Sequence, residues 1–256
     1  MTKRKKTFFI IVSLLILIAV WEIVSRIVRI DFAIPGVIET LTAFADLLTT
    51  ASFWKIVFFS ILRIFLGFLL GVLFAILITP LTVVSSFAKI FVSLIMTVLK
   101  STPVASFILV IWILIGSANV PTVIAILIVT PIIWQNLYDG YFLIDKRLLE
   151  VGEIFKFSRK KKLKYIIAPS VIKFLMPALL SSVGLAWKSG IAAEIISYTK
   201  NSIGKEIFDA KSFFEGGQMF AWTLTVVILS LAFEVGIKLI SNRYSSYVEK
   251  SFEVQK

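Results

Sequence analysis

Six long apolar runs constrain this chain more than any other feature of its sequence. A helix that crosses a bilayer needs about 20 mostly apolar residues. The charged fraction is only 16%, against about 25% in a water-soluble domain, so a soluble fold is excluded. The sequence therefore predicts an all-α, polytopic membrane protein with about six transmembrane helices in a single domain over residues 1–256. The predicted spans are residues 8–28, 56–79, 87–115, 120–142, 174–198 and 219–241.

The first and third runs each allow a second interpretation. Four basic residues, Lys3 to Lys6, precede the first run as in a signal peptide. That run is long enough to span a bilayer and no small-residue cleavage site follows it, so we expect an uncleaved span. The third run is interrupted at Pro103, where a backbone donor is missing. Two full crossings do not fit into about 29 residues, so we expect one span that is broken near its middle.

Basic residues between the runs indicate how the spans are oriented, because cytoplasmic loops are enriched in Lys and Arg. Residues 143–173 carry nine Lys and Arg, whereas the loops on the other side carry few, among them Arg29 and Lys55. We expect a multi-pass protein of the cell membrane with both termini in the cytoplasm. This topology and anionic lipid headgroups explain the net charge of +12 better than nucleic acid does.

Residues 143–173 are longer than a turn between two spans requires. Apolar residues recur at helical spacing twice, around Leu148–Phe155 and again around Leu163–Ile167. Ser158 is a candidate N-cap for the second helix, and Pro169 is expected to end it. The pattern predicts two short helices joined near residues 156–158. They either rest on lipid headgroups or present a docking surface for a soluble partner.

This segment resembles the EAA motif of binding-protein-dependent ABC permeases, in which E-A-A is followed by three residues, a glycine, nine residues and I-x-L-P. Glu150-Val151-Gly152 aligns with E-A-A, Ile166 with the isoleucine and Pro169 with the proline. Ser158 and Arg159 match the A-S-R that frequently follows the glycine.

The chain departs from that motif at several positions. Val151 and Gly152 replace the alanines, and Ala168 replaces the leucine. Lys156 stands where the motif has glycine, which favours a turn that is costly for a side chain. Lys156 therefore leaves open how sharp the turn is, and it also fits the weaker half of a permease heterodimer.

Four further segments resemble the nitrate/sulfonate/taurine-type branch of these permeases, in the same order along residues 34–241. The matched patterns are S-x-x-R-v-x-x-G-f at Ser60 to Phe68, L-R-x-x-P at Leu99 to Pro103, G-x-x-W and A-A-E at Gly184 to Glu194, and L-G with a later A at Ile203-Gly204 and Ala210.

The resemblance implies the type I ABC importer fold and a set of partners. Two ATP-binding subunits lie on the cytoplasmic side, a second permease copy or paralogue completes the path, and an extracytoplasmic substrate-binding protein delivers the cargo. Relatives of this branch move nitrate, sulfonates, taurine or vitamin precursors. The resemblance places Glu150, Val151 and Gly152 on a coupling helix that docks on the ATPase, with the rest of the docking segment at Lys156, Ser158, Arg159 and Pro169.

Ionisable side chains inside spans are costly and usually face a cavity or a partner. The candidates of this kind are Arg63, Lys100, Lys188, Glu194 and Glu234. Arg63 lies near the end of its span, from where it either reaches the headgroups or faces a partner. Glu234 is expected to pair with Lys238 at i,i+4 spacing.

A translocation path is predicted around the broken span, because irregular backbone is tolerated in a bilayer where it lines a cavity. Lys100 and Lys188 are candidates for contact with an anionic cargo, although Glu194 could instead pair with a basic group. Trp187 is expected to pack between helices rather than to bind cargo. The candidate path residues are Lys100, Pro103, Trp187, Lys188 and Glu194.

The sequence offers little for catalysis. It contains no cysteine and no histidine, which removes disulfides, the commonest general base and the commonest metal ligand. No metal-ligand spacing and no G-x-x-x-x-G-K-[S/T] loop occurs. We therefore expect no catalytic residue, metal or cofactor here, with ATP bound by the partner subunit. The alternative function is an ATP-independent secondary transporter or channel, although the inverted repeats common in transporters are not visible.

Overall fold

The computed structural model describes residues 3–28 and 33–253, and within them all regular structure is helical. Arg29, which the orientation argument counted, lies outside the described residues. The helices are α1 (Lys3–Val28), α2 (Val37–Leu48), α3 (Ala51–Val84), α4 (Ser86–Ser101), α5 (Val104–Ile115), α6 (Val120–Phe142), α7 (Lys146–Ile154), α8 (Arg159–Lys162), α9 (Ala168–Ile196), α10 (Ile203–Ser212) and α11 (Gly216–Glu253), with a π-helical turn at Leu163–Ile167 between α8 and α9.

The expectation of about six apolar spans is confirmed within these residues. Five helical runs are long and apolar enough to cross a membrane, and the α4–α5 pair meets the same test as one bent unit. The axes of α4 and α5 differ by 104°. The bend lies at Thr102 and Pro103, where Thr102 is extended as a residue before proline prefers to be. The predicted break of the third span is therefore present at the predicted place.

Helices α3 and α6 pack through a seam of small residues. A Cβ atom on Gly67 would lie 2.7 Å from Ala125 Cβ, and one on Gly71 would lie 2.8 Å from Val129 Cβ. Further along, Trp134 Nε1 donates a hydrogen bond to the hydroxyl of Thr82 at 3.1 Å. Because the contacts advance in the same direction along both helices, α3 and α6 run parallel.

Helix α9 runs antiparallel to both of them and completes the core. Near one end of the bundle a Cβ on Gly140 of α6 would lie 2.8 Å from the ring of Phe174, and near the other end Gly190 lies against Ile64 of α3. Trp187 is buried between these helices and donates to the carbonyl of Val226 on α11 at 3.1 Å. We call the end that carries α7 and α8 the hairpin end, and the other the opposite end.

Helix α1 contacts other described residues near its C-terminal end. Trp21 Nε1 donates to the carbonyl of Pro35, and Glu22 Oε2 accepts from the N–H of Val37 at 3.1 Å. The second contact caps the start of α2. The apolar span of α1 is otherwise unburied within the described residues, so its lateral partners are lipid or another chain.

Candidate functional site

The hairpin, defined as residues 143–173, begins with a capped helix. Asp145 precedes α7 and its Oδ1 accepts a hydrogen bond from the N–H of Arg147 at 2.9 Å. A carboxylate at this position also favours the positive end of the helix dipole. Ile144 is buried immediately before it, which anchors the start of the hairpin in the bundle.

Lys156 forms the turn between the two arms in the left-handed region, with φ of 50°. Its N–H donates to the carbonyl of Glu153 at 2.9 Å, and the N–H of Phe157 donates to the carbonyl of Gly152 at 2.8 Å. These two bonds form a Schellman cap, whose left-handed position is usually glycine. The sharp turn is therefore present, and a lysine carries the strain that glycine would avoid.

Gly152 and Ile166 bring the two arms together. Both residues are buried, and a Cβ on Gly152 would lie 2.7 Å from Ile166 Cδ1. The position that aligns with a small motif residue therefore contacts the position that aligns with the motif isoleucine. The atom in the way is a flexible methyl, so an alanine here requires only a modest adjustment.

The second arm begins as predicted and is tied back to the first. Ser158 is its N-cap, with Oγ accepting from the N–H of Lys161 at 3.4 Å. Lys162 Nζ lies 3.2 Å from Glu153 Oε1. A capped turn, a glycine contact and an ion pair therefore give the hairpin a defined shape.

The prediction that Pro169 ends the second helix is wrong. One helical run continues from Arg159 to Ile196. In the π-helical turn the N–H of Ala168 donates to the carbonyl of Leu163, one residue further back than in an α-helix. Pro169 follows directly, at the first positions of α9, where the absence of an N–H is tolerated.

The outer face of α7 carries an apolar ridge, defined as Leu148, Val151, Ile154 and Phe155. Ile154 is 76% exposed and Phe155 is 70% exposed, and Leu148 and Val151 are close to half exposed. Glu150 is exposed beside it, and among the described ion pairs it joins neither Lys146 nor Arg147. An exposed apolar patch rimmed by charge is typical of an interaction site. The second arm adds four exposed basic side chains, Arg159, Lys160, Lys161 and Lys164.

The candidate path residues separate into two groups. Lys100, Pro103 and Lys188 are exposed on the bundle surface, whereas Trp187 and Glu194 are buried inside it. Within the part of the chain that the structure describes, neither lysine has an ion-pair partner. The predicted pair of Glu234 with Lys238 does not form there either, and both side chains are exposed.

A buried polar cluster at the opposite end involves Glu194 and Arg63. Ser60 Oγ donates to Glu194 Oε2 at 2.9 Å, and Arg63 Nη1 lies 3.8 Å from Glu194 Oε1. Arg63 also donates to the backbone carbonyls of Lys200 and Asn201. The structure supports the alternative in which Arg63 faces a partner, because loop carbonyls hold its guanidinium. In the sequence these residues belong to separate patterns, and their contact was not predicted because α3 and α9 are far apart along the chain.

A second cluster lies on the platform, which we define as residues 197–214 around α10. Tyr198 Oη donates to Asp209 Oδ1 at 2.7 Å, and Lys205 Nζ pairs with Asp209 Oδ2. Partial desolvation raises the pKa of Asp209, but hydrogen bonds from Lys205 and Tyr198 outweigh it and leave that pKa below its ordinary value. The same hydrogen bond to Asp209 raises the pKa of Lys205.

The described residues contain no group of three or more His, Cys, Asp and Glu side chains that could hold a metal ion.

A family model described as "Binding-protein-dependent transport system inner membrane component" matches residues 67–246.

Individual proteins are also similar to the chain. The putative aliphatic sulfonates transport permease protein SsuC of Bacillus subtilis is 20% identical over 89% of this chain and 83% of its own length. The nitrate import permease protein NrtB of Synechococcus elongatus is 26% identical over 78% and 75%. The taurine transport system permease protein TauC of Escherichia coli is 23% identical over 92% and 88%.

A solved structure, titled as the crystal structure of an amino acid ABC transporter with histidines, shares the fold. Its TM-score to this chain is 0.60 at 17% identity, and the match covers 72% of this chain and 90% of that one.

Proposed function

The chain belongs to the family of binding-protein-dependent transport inner-membrane components, and from this premise we propose that the hairpin is the element through which a separate ATPase drives the permease. The chain is a multi-pass membrane protein and an ABC importer permease of the nitrate/sulfonate/taurine branch. An ATP-driven permease needs an element outside the bilayer to which the ATPase transmits its conformational change.

The observation that carries this proposal is the exposed ridge on a rigid hairpin. Phe155 and Ile154 leave most of their apolar surface exposed. The turn at Lys156 and the Gly152–Ile166 contact hold the two arms in a fixed arrangement. A rigid helix pair that is gripped by a partner transmits a rigid-body motion into the span it joins. We assign Glu150, Val151, Ser158 and Arg159 to the same contact.

The partner set follows from the family. We propose two ATPase subunits on the hairpin, a second permease copy or a paralogue beside this chain, and an extracytoplasmic binding protein at the opposite end. The exposed apolar span of α1 is consistent with a lateral partner. In this arrangement the hairpin and both termini face the cytoplasm.

We also propose that Lys100, Pro103 and Lys188 line the path of the cargo, with Trp187 and Glu194 supporting it from inside the bundle. An unpaired ammonium within a span is stable only where it meets water, a partner or an anion. The relatives are named for sulfonates, nitrate and taurine, so the proposed cargo is a small anionic or zwitterionic solute. Replacing Lys188 with methionine is expected to lower uptake without lowering the amount of assembled protein.

Substitution of the ridge tests the proposed docking. Phe155→Asp is expected to abolish co-purification of an ATPase with the tagged chain, because it places a carboxylate in the centre of an apolar contact. Phe213→Asp is the matched control, since Phe213 is also the exposed C-cap residue of a short helix but lies at the opposite end. Equal retention of the ATPase by both variants would end the proposal.

Two further changes test coupling and orientation. Glu150→Lys, or deletion of residues 156–162, is expected to separate ATP hydrolysis from uptake while membrane insertion stays normal. Because the sequence contains no cysteine, single cysteines at Phe155 and Phe213 report sidedness with a membrane-impermeant maleimide. Labelling of Phe155→Cys from outside intact cells would contradict the proposed orientation.

A further inference from the structure

Helix α10 is capped at its N-terminus by two other helices. The N–H of Ile203 donates to Ser60 Oγ of α3 at 2.9 Å, and the N–H of Gly204 donates to Glu194 Oε2 of α9 at 3.2 Å. The next N–H, that of Lys205, donates to Ser202 Oγ. The first N–H groups of a helix have no partner within it, so here α3 and α9 satisfy two of them.

The segment before α10 is held from its other side by Arg63. The guanidinium donates to the carbonyl of Asn201 at 3.0 Å and to that of Lys200 at 2.9 Å. It also faces Glu194 Oε1, which is completely buried and has no hydrogen-bond partner among the described residues. The carboxyl group of Glu194 therefore faces both Arg63 and the N-terminus of α10.

The contact between α9 and α10 leaves no room for sliding. A Cβ on Gly204 would lie 2.6 Å from the backbone nitrogen of Ile195. Backbone hydrogen bonds to a buried carboxylate fix one geometry, whereas apolar side chains tolerate small displacements. The start of α10 is therefore fixed relative to the end of α9.

The other end of the same helical run carries the hairpin. The run from Arg159 to Ile196 has 38 residues and no break, which corresponds to about 57 Å at about 1.5 Å per residue. Its first residues form the second arm of the hairpin, and Glu194 lies within its last turn. The hairpin and the platform are thus attached to opposite ends of one helix.

We propose that Ser60, Arg63 and Glu194 are positioning residues that lock the platform to α9, so that a displacement of the hairpin is delivered to the opposite end of the protein. The proposal rests on the function proposed above for the hairpin. It adds that the platform changes state with the nucleotide cycle, and that this depends on three polar side chains, of which Ser60 and Glu194 are buried.

Hydrogen exchange of the complete complex, purified through a tag on this chain, tests the lock with two reporters. Exchange is followed in residues 146–157 of the hairpin and in residues 203–212 of the platform, in the presence of MgATP with vanadate and without nucleotide. Wild type is expected to change its exchange in both segments. Ser60→Ala is expected to keep the change in the hairpin and to lose it in the platform.

Matched variants separate positioning from general damage. Ser60→Thr retains the hydroxyl and is expected to restore the response of the platform. Thr79→Ala removes another buried hydroxyl from α3, but Thr79 donates only to the carbonyl of Ala75 in its own helix, so the platform is expected to respond as in wild type. If Ser60→Ala does not assemble, Gly204→Ala perturbs the same contact from the side of α10.

The outcomes distinguish the two proposals. No nucleotide-dependent change in the wild-type hairpin would overturn the proposed function. A hairpin that responds while the wild-type platform does not, or a platform that still responds in both Ser60→Ala and Gly204→Ala, would overturn the lock alone. Loss of the response in Thr79→Ala would also overturn it, because any buried hydroxyl would then be equivalent to Ser60.

Discussion

Replacement of Lys156 by glycine is expected to stabilise the hairpin, although glycine ordinarily destabilises the interior of a helix. Lys156 has φ of 50°, and the left-handed region costs a residue with a side chain about 1–2 kcal/mol. Glycine avoids that cost but loses about 0.5–1 kcal/mol more backbone entropy on folding. The midpoints of the two ranges differ by about 0.75 kcal/mol in favour of glycine, which corresponds to about a 3–4-fold change in a local opening equilibrium.

The measurement is hydrogen exchange in the purified protein. The bonds at risk are those from the N–H groups of Lys156 and Phe157 to the carbonyls of Glu153 and Gly152. Lys156→Gly is expected to slow exchange in the peptide that contains them, because the Schellman cap then opens less often. The global melting temperature is expected to change little, since the hairpin lies outside the packed bundle.

The matched control is Lys160→Gly, in α8. Lys160 is also an exposed lysine of the hairpin, but it is helical rather than left-handed. Glycine at a helical position costs about 0.5–1 kcal/mol, so this variant is expected to speed exchange. Faster exchange in Lys156→Gly, or the same direction of change in both variants, would refute the assignment of strain to Lys156.

Three further predictions follow from other contacts. Gly67→Ala is expected to lower the melting temperature, because its Cβ would lie 2.7 Å from Ala125 Cβ and overpacking costs about 1–3 kcal/mol. Gly184→Ala in α9 meets nothing within 4 Å and removes a helical glycine, so it should leave the melting temperature equal or higher. Equal melting of the two variants would contradict the seam. Ser158→Ala removes the N-cap of the second arm, at a cost of about 1 kcal/mol, and should speed exchange in residues 159–162; unchanged exchange would show that the cap contributes nothing. The pKa of Asp209 is lowered, so its pairing stabilises the platform above the ordinary aspartate pKa of about 4 and is lost as the pH falls below that value. Asp209→Asn should therefore remove the acid-dependent increase in hydrogen exchange of the platform. An increase of the same size in the variant would refute the assignment.

The positions of the spans could be predicted from sequence because hydropathy and the need to satisfy backbone polar groups in lipid decide them locally. The break at Pro103 could be predicted for the same reason, since a missing N–H is a local property. The bend of 104° could not, because the direction of α5 depends on its packing against α6 and α9 rather than on the residues at the break.

The prediction for Pro169 was wrong because a proline constrains only the turn before it. A single π-helical turn at Leu163–Ile167 accommodates the missing N–H, and α9 continues. Lys156 shows the converse case. The motif indicated a residue without a side chain, but the turn forms around a lysine because the strain is smaller than the combined gain from the cap, the Gly152–Ile166 contact and the pair of Lys162 with Glu153.

The buried cluster at the opposite end was visible to sequence reasoning only as separate patterns. Ser60 and Arg63 belong to α3, Glu194 to α9 and Gly204 to α10. The spacing of these residues does not predict that the Glu194 carboxylate accepts hydrogen bonds from both the Ser60 hydroxyl and the Gly204 N–H. Contacts between residues so distant in sequence are set by how helices cross, which periodicity alone does not specify.

The parallel seam between α3 and α6 has a consequence for how the protein is made. A ribosome delivers α3 to the membrane first, and α4 and α5 must follow before the turn of α6 that fills the groove at Gly67 exists. Until that moment the nascent chain holds an open groove within the lipid. This packing therefore closes only once about half of the chain has been made. A factor that shelters unfinished membrane proteins would find its binding site on the face that α6 later covers.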